Sequence, residues 1–131
     1  MLLAQSRHET ALGKEWMRVK ISQLHLSDFM LFQQADFQWS PGINVICGTN
    51  STGKTALIKL MYSLHKSYEQ WNSTETKEAA VNRFSEKLCG VFRPDNGKVG
   101  RLVRRKQGNA QMTASMGYEN GTSIDVNFGN R

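Results

Sequence analysis

Eight residues carry the clearest chemistry in the chain. Gly48-Thr49-Asn50-Ser51-Thr52-Gly53-Lys54-Thr55 meets the spacing G-x-x-x-x-G-K-[ST] without a mismatch. At ordinary residue frequencies the pattern arises by chance in on the order of one in a few hundred chains of this length. Such a loop turns its N–H groups inward as an anion nest, and the positive end of the following helix adds to the field. Gly48 is expected to let the chain leave a strand in a conformation that other residues resist. Gly53 carries no side chain to keep phosphate oxygens from the backbone. Lys54 supplies a point charge for β- and γ-phosphates. The hydroxyl of Thr55 suits Mg²⁺, which keeps most of its waters and takes few protein ligands. The expected ligand is a nucleoside triphosphate, ATP with Mg²⁺, held by Gly48 to Thr55.

A phosphate loop needs a strand before it and a helix after it. Ile43-Asn44-Val45-Ile46-Cys47 is short, apolar and β-branched, and reads as a strand buried on both faces, entered by the turn Ser40-Pro41-Gly42. After the loop, Ala56, Leu57, Leu60, Met61, Leu64 and Tyr68 recur at helical spacing. Leu57, Leu60, Met61 and Leu64 should press on a sheet, with Lys59, Ser63, Lys66 and Ser67 on the other face. Upstream, Val19, Ile21, Leu24 and Leu26 mark a strand over 18–26. Its alternation slips between Ile21 and Leu24, which allows a bulge. A second strand is expected over 32–39, with Phe37 and Trp39 on one face. Downstream, Ser73 to Thr76 offer helix caps, and Val81, Phe84 and Leu88 line a second helix. The turn 93–97 leads to strand-like pieces at 101–104, 110–116 and 123–128. Asn120-Gly121 between the last two is a hairpin signal. Residues 1–15 show no period and read as a leader or short helical extension. The folded pattern starts at Met17, giving boundaries of 1–16 and 17–131.

The chain has 131 residues, enough for one domain, with 39% hydrophobic and 21% charged residues and a net charge of +6. No apolar stretch approaches the roughly 18 residues of a membrane span, so a cytoplasmic location is the default. Cys47 and Cys89 stand in no metal-ligand spacing, and Cys47 reads as a small buried packing residue. His8, His25 and His65 are scattered and read as solvated or satisfied residues. Lys98, Arg101, Arg104, Arg105 and Lys106 form a basic cluster on a predicted hairpin. Either they contact a nucleic-acid backbone or they guard a solvated strand edge. Trp16, Trp39 and Trp71 could stack on a base, although core packing at a strand end is the plainer reading of Trp39. Hydrolysis would require an acidic residue after another buried strand. Asp28, Asp36, Asp95 and Asp125 follow no such apolar run.

The stretch from Arg18 to Tyr62 resembles the N-terminal lobe of an ABC-type ATPase superfamily. That group includes RecF, SbcC, the structural-maintenance-of-chromosomes proteins and the overcoming-lysogenization-defect nucleases. The residues that carry the resemblance are Val19 to Phe29, Phe37, Ser40-Pro41-Gly42-Ile43-Asn44-Val45-Ile46 and the loop with Asn50 at its third position. Ser51 stands where glycine is commoner, and looks like the overcoming-lysogenization-defect and RecF-like branch, where serine is familiar. The resemblance implies an α/β fold: a P-loop NTPase N-terminal lobe with a mixed sheet, a P-loop helix and an antiparallel β-subdomain. It implies a Walker A loop that binds ATP and Mg²⁺ in DNA repair or defence. After Phe29 the family usually has a basic residue and then serine, which help hold the nucleotide, whereas this chain has Met30 and Leu31. Walker B, the signature and the switch histidine have no counterpart before Arg131. The expectation is therefore an N-terminal fragment, a truncated form or one half of a split ATPase. Its partners would be the missing C-terminal lobe or a second ATPase head, and DNA. Two other readings stay open: a non-catalytic nucleotide- or nucleic-acid-binding interaction module, and a small P-loop kinase, for which no acceptor site or base is visible.

Overall fold

The computed structural model describes the main chain of Leu2–Gln5 and residues 19–130. Five strands form one sheet in the order β1-β5-β4-β2-β3. They are β1 (Leu2–Gln5), β2 (Ile21–Phe29), β3 (Phe32–Gln38), β4 (Gln111–Tyr118) and β5 (Ser123–Gly129). Two helices, α1 (Lys54–Glu69) and α2 (Lys77–Phe92), complete the α/β body. The register shift expected in β2 lies between Ile21 and Gln23, where the strand pairs with β4. Leu2–Gln5, expected within a leader or helical extension, pairs along β5 at the sheet edge. Residues 6–18, which carry the rest of that expectation along with Trp16, lie outside the described residues.

The alternation of the strands sets one face of the sheet against the helices. Leu24, Leu26, Met112, Ala114, Met116, Ile124 and Val126 are buried in one cluster with Leu57, Leu60 and Leu64 of α1 and Ala80, Phe84 and Leu88 of α2. Antiparallel sheets tolerate one covered and one wetter face, and Thr113 and Gln111 occupy the exposed positions in between. Thr76 caps α2 as expected, accepting a hydrogen bond from the Ala79 amide at 3.3 Å. Ser63 and Ser67, expected on the outer face of α1, are buried. Their hydroxyls donate to the carbonyls of Lys59 and Ser63, each at 2.8 Å, so neither polar group is left unpaired.

The C-terminal end of α1 is tied to the β4–β5 hairpin by polar contacts. Tyr68 stacks on Tyr118 at 4.3 Å and shares a 2.8 Å hydrogen bond with the Thr122 hydroxyl. His65 bridges the Tyr118 hydroxyl at 3.1 Å and the Glu69 carboxylate at 3.3 Å. Burial pushes the Tyr118 phenol well above its ordinary range. The hydrogen bond from Lys66 holds the Glu69 carboxyl below the usual carboxylate range.

The expected mixed sheet is corrected: every strand pairing among the described residues is antiparallel. The segment expected as a strand buried on both faces, Ile43–Cys47, is not a strand. Ile43 is 92% and Val45 78% exposed, and Cys47, read as a buried packing residue, is exposed too. The reason is main-chain pairing. No neighbouring strand runs beside this segment, and it makes no backbone–backbone hydrogen bond among the described residues. Ile46 alone in this run packs against the core.

The piece expected as a strand over 101–104 is also corrected. Val99–Leu102 is a 3-10 turn, followed by a single bridge between Val103 and Phe29. Gly100 lies so close to the end of β5 that a Cβ there would sit 2.9 Å from the Gly129 carbonyl oxygen, which leaves no lane for a regular strand.

Candidate functional site

The phosphate-loop sequence joins the exposed segment to α1. Its entry is set by the turn expected at Ser40-Pro41-Gly42. The Asn44 side chain closes this turn, accepting from the Ser40 amide and donating to the Ser40 carbonyl, both at 2.9 Å. Its exit is Gly53, the N-cap of α1, with a left-handed φ of 91°. No side chain caps this helix end, and no acidic residue stands in its first turn. The first amides of α1 are therefore open to an external acceptor, as an anion site requires.

Within the loop the hydrogen bonds are internal. The Thr52 hydroxyl donates to the Thr49 carbonyl at 2.9 Å. Lys54 Nζ donates to the carbonyls of Gly48 at 2.7 Å and Thr49 at 2.5 Å, with Thr52 Oγ1 at 3.4 Å. The ammonium thus lies folded over its own loop, paired with dipoles and with no carboxylate among the described residues. A phosphate would offer it a full negative charge instead.

At Gly48 the structure gives a reason other than the expected one, and at Gly53 it gives a further one. Gly48 does not take a left-handed φ; a Cβ there would meet Thr52 Oγ1 at 2.9 Å, so a side chain would have to displace the Thr52 hydroxyl. Gly53 does take one, and a Cβ there would also press into the Phe32 ring. Ser51 adopts φ 63°, a conformation that costs a non-glycine residue roughly 1–2 kcal/mol. This accounts for glycine being commoner at that position.

Asn50 to Ala56 form the floor of an open depression of about 410 Å³. Met30 and Leu31, at the tip of the β2–β3 hairpin, line it together with Lys59 and Phe92. Met30 and Leu31 are 38% and 62% exposed, so where the resembled family has polar residues this chain presents apolar ones. Lys59 Nζ lies 5.6 Å from the centre of the Phe92 ring. Thr55 is exposed in the first turn and lines the same depression. Trp39 is elsewhere: it stacks on Phe37 at 5.5 Å and packs against the core.

The basic cluster stands near this depression, but not on a hairpin. Arg101 lies within the 3-10 turn, and Arg105 and Lys106 are exposed beyond the Val103 bridge. This segment runs antiparallel beside the hairpin tip. The Met30 amide donates to the Leu102 carbonyl at 2.8 Å, and the Arg104 amide to the Asp28 carbonyl at 2.7 Å. Lys106 pairs with Asp28 at 2.6 Å, which leaves Arg101, Arg104 and Arg105 without a described acidic partner. The structure therefore brings both Asn50–Thr55 and the basic segment to one hairpin tip.

A family profile described as AAA domain matches residues 23–123. The DNA replication and repair protein RecF of Streptococcus equi subsp. zooepidemicus is 27% identical over 99 residues, covering 66% of this chain and 27% of that protein. The protein of that name from Limosilactobacillus reuteri is 34% identical over 77 residues, or 53% and 21% of the two chains. The one from Renibacterium salmoninarum is 46% identical over 41 residues, or 31% and 10%. The chain spans about a quarter of the length of these relatives, or less. No described helix is long and apolar enough to cross a membrane.

Proposed function

The chain belongs to the AAA domain family, and on that footing we propose that it is the ATP-holding lobe of a RecF-like ATPase acting in DNA repair or defence. The observation that carries this reading is the uncapped N-terminus of α1 beneath a complete phosphate-loop sequence, with Lys54 paired to no described carboxylate. In this reading Gly48, Thr49, Asn50, Ser51, Thr52, Gly53, Lys54 and Thr55 hold the triphosphate. The loop amides and the first turn of α1 bind the phosphate oxygens, Lys54 leaves the loop carbonyls for the β- and γ-phosphates, and the Thr55 hydroxyl ligates Mg²⁺. Bound Mg²⁺ would offset phosphate charge.

In this reading residues 17–131 supply one ABC-type ATPase lobe. Hydrolysis depends on groups from a C-terminal lobe or a second ATPase head. The exposed Ile43–Cys47 is the natural seat for such a partner, because its main chain makes no described backbone hydrogen bond and the Ile43 and Val45 side chains are uncovered. Arg101, Arg104, Arg105 and Lys106 would contact a nucleic-acid backbone. The DNA-related name of the RecF relatives favours that assignment.

Calorimetric titration of the full chain with ATP·Mg²⁺ tests the central claim. Replacing Lys54 by Ala removes charge-assisted hydrogen bonds and should weaken binding at least about tenfold. Binding that survives Lys54→Ala unchanged would overturn the assignment. Magnesium-dependent turnover by the chain alone would overturn the dependence on a second lobe.

A further inference from the structure

The loop's side-chain hydrogen bonds stay inside it, so something else must set its angle to the body. One contact stands out. A Cβ placed on Gly53 would lie 2.8 Å from Cε2 and 2.9 Å from Cζ of Phe32. Real Cβ atoms do not approach so closely, so the ring occupies the space that a side chain at Gly53 would take. The two residues are far apart in sequence, and their meeting depends on the sheet.

Phe32 is itself firmly held. Its main chain pairs with Phe29 across the tip of the β2–β3 hairpin. The tip is pinned from its other side by the bond from the Met30 amide to the Leu102 carbonyl. The ring meets Phe37 edge-on at 6.4 Å, and Phe37 in turn stacks on Trp39. A row of aromatic side chains thus runs along β3 and ends against the N-cap of α1.

We propose that Phe32 is the positioning residue of the phosphate loop: its ring, seated in the space left by Gly53, fixes how the first amides of α1 face an anion. The inference rests on the phosphate-binding reading of the loop. Phe32 is not on the lining of the depression and need not touch the nucleotide. It acts through Gly53, whose φ of 91° sets the direction in which the helix starts. Hydrogen bonds to phosphate depend steeply on angle, so a tilt of the helix end would weaken several at once.

The test is a double-mutant cycle on the full chain. Wild type, Phe32→Ala, Gly53→Ala and the double variant are titrated with ATP·Mg²⁺ and with inorganic tripolyphosphate, and thermal unfolding is recorded for each. Phe32→Ala should weaken both ligands by about tenfold. Gly53→Ala should weaken them further, through its strained φ and its clash with the ring. In the double variant the new methyl enters vacated space, so the loss should be smaller than the product of the single losses. Phe32→Met supplies the control for folding. A flexible side chain refills the space and should restore much of the melting temperature while leaving affinity low.

If wild type binds tripolyphosphate and both Phe32 variants bind it as tightly, with an additive cycle, Phe32 is ordinary packing and the proposal is overturned. The phosphate reading would then stand. If wild type binds neither ligand, the phosphate reading falls and takes this inference with it.

Discussion

Ile43–Cys47 and α1 are separated only by the phosphate loop, and both are rich in apolar residues, yet they end in opposite environments. Leu57, Leu60 and Leu64 are at most 1% exposed, whereas Ile43 is 92% exposed. The difference lies in how each element satisfies its main chain. A helix closes its hydrogen bonds internally and asks of the sheet only an apolar surface. A strand needs a neighbour for every bond as well as cover for its side chains. In this chain the sheet gives α1 a face to cover, whereas Ile43–Cys47 pairs with no described strand. The phosphate loop therefore sits between a firmly seated exit and an unsupported entry.

If that contrast is right, the largest stability effect belongs to the exit side. Leu60→Ala empties a fully buried site at the centre of the core and should cost about 2–5 kcal/mol in denaturant unfolding. A loss under about 1 kcal/mol would mean that α1 is not held as described. A smaller effect is expected at the far end of the same helix. Tyr68→Phe removes the hydroxyl that bonds Thr122 but keeps the stack on Tyr118. The Thr122 hydroxyl keeps its 2.7 Å bond to the Asn120 side chain, so no new orphan is created there. The expected cost is about 1 kcal/mol, read from the same unfolding curves.

The sequence is most readable where local rules coincide with tertiary ones. Leu57, Leu60 and Leu64 repeat with the helical period and all three are buried. The slip in β2 marked a real register shift, and Asn120-Gly121 marked the β4–β5 turn, where Gly121 takes φ 82°. Where the two part, the sequence misleads. Ile43–Cys47 has strand composition, but composition does not supply a neighbour. Ser63 and Ser67 are polar by type, and burial became possible only because the carbonyls four residues back accept their protons. In the candidate site, the eight-residue motif locates the loop without help. Phe32 had no such signal, since no period or spacing links it to Gly53. Met30 and Leu31 were visible as departures from the resembled pattern, but their place on the wall of the depression came only from the folded hairpin.

The smallest expected effect is also the sharpest test of the contrast. Replacing Ile43 and Val45 together by Ser changes two β-branched residues that are largely exposed, so stability should move by no more than about 0.5 kcal/mol. Ile46 is the internal control, because it is partly buried and packed against the core. Ile46→Ala should cost more than the double exposed change, although it removes carbon at only one position. A loss of about 2 kcal/mol or more from Ile43→Ser with Val45→Ser would mean that the segment is covered in solution, either by its own chain or by a second copy. Repeating the unfolding at several protein concentrations separates these cases, because only cover by a second copy makes the midpoint depend on concentration. Either outcome would remove the unsupported entry, and the phosphate loop would then be braced from both ends.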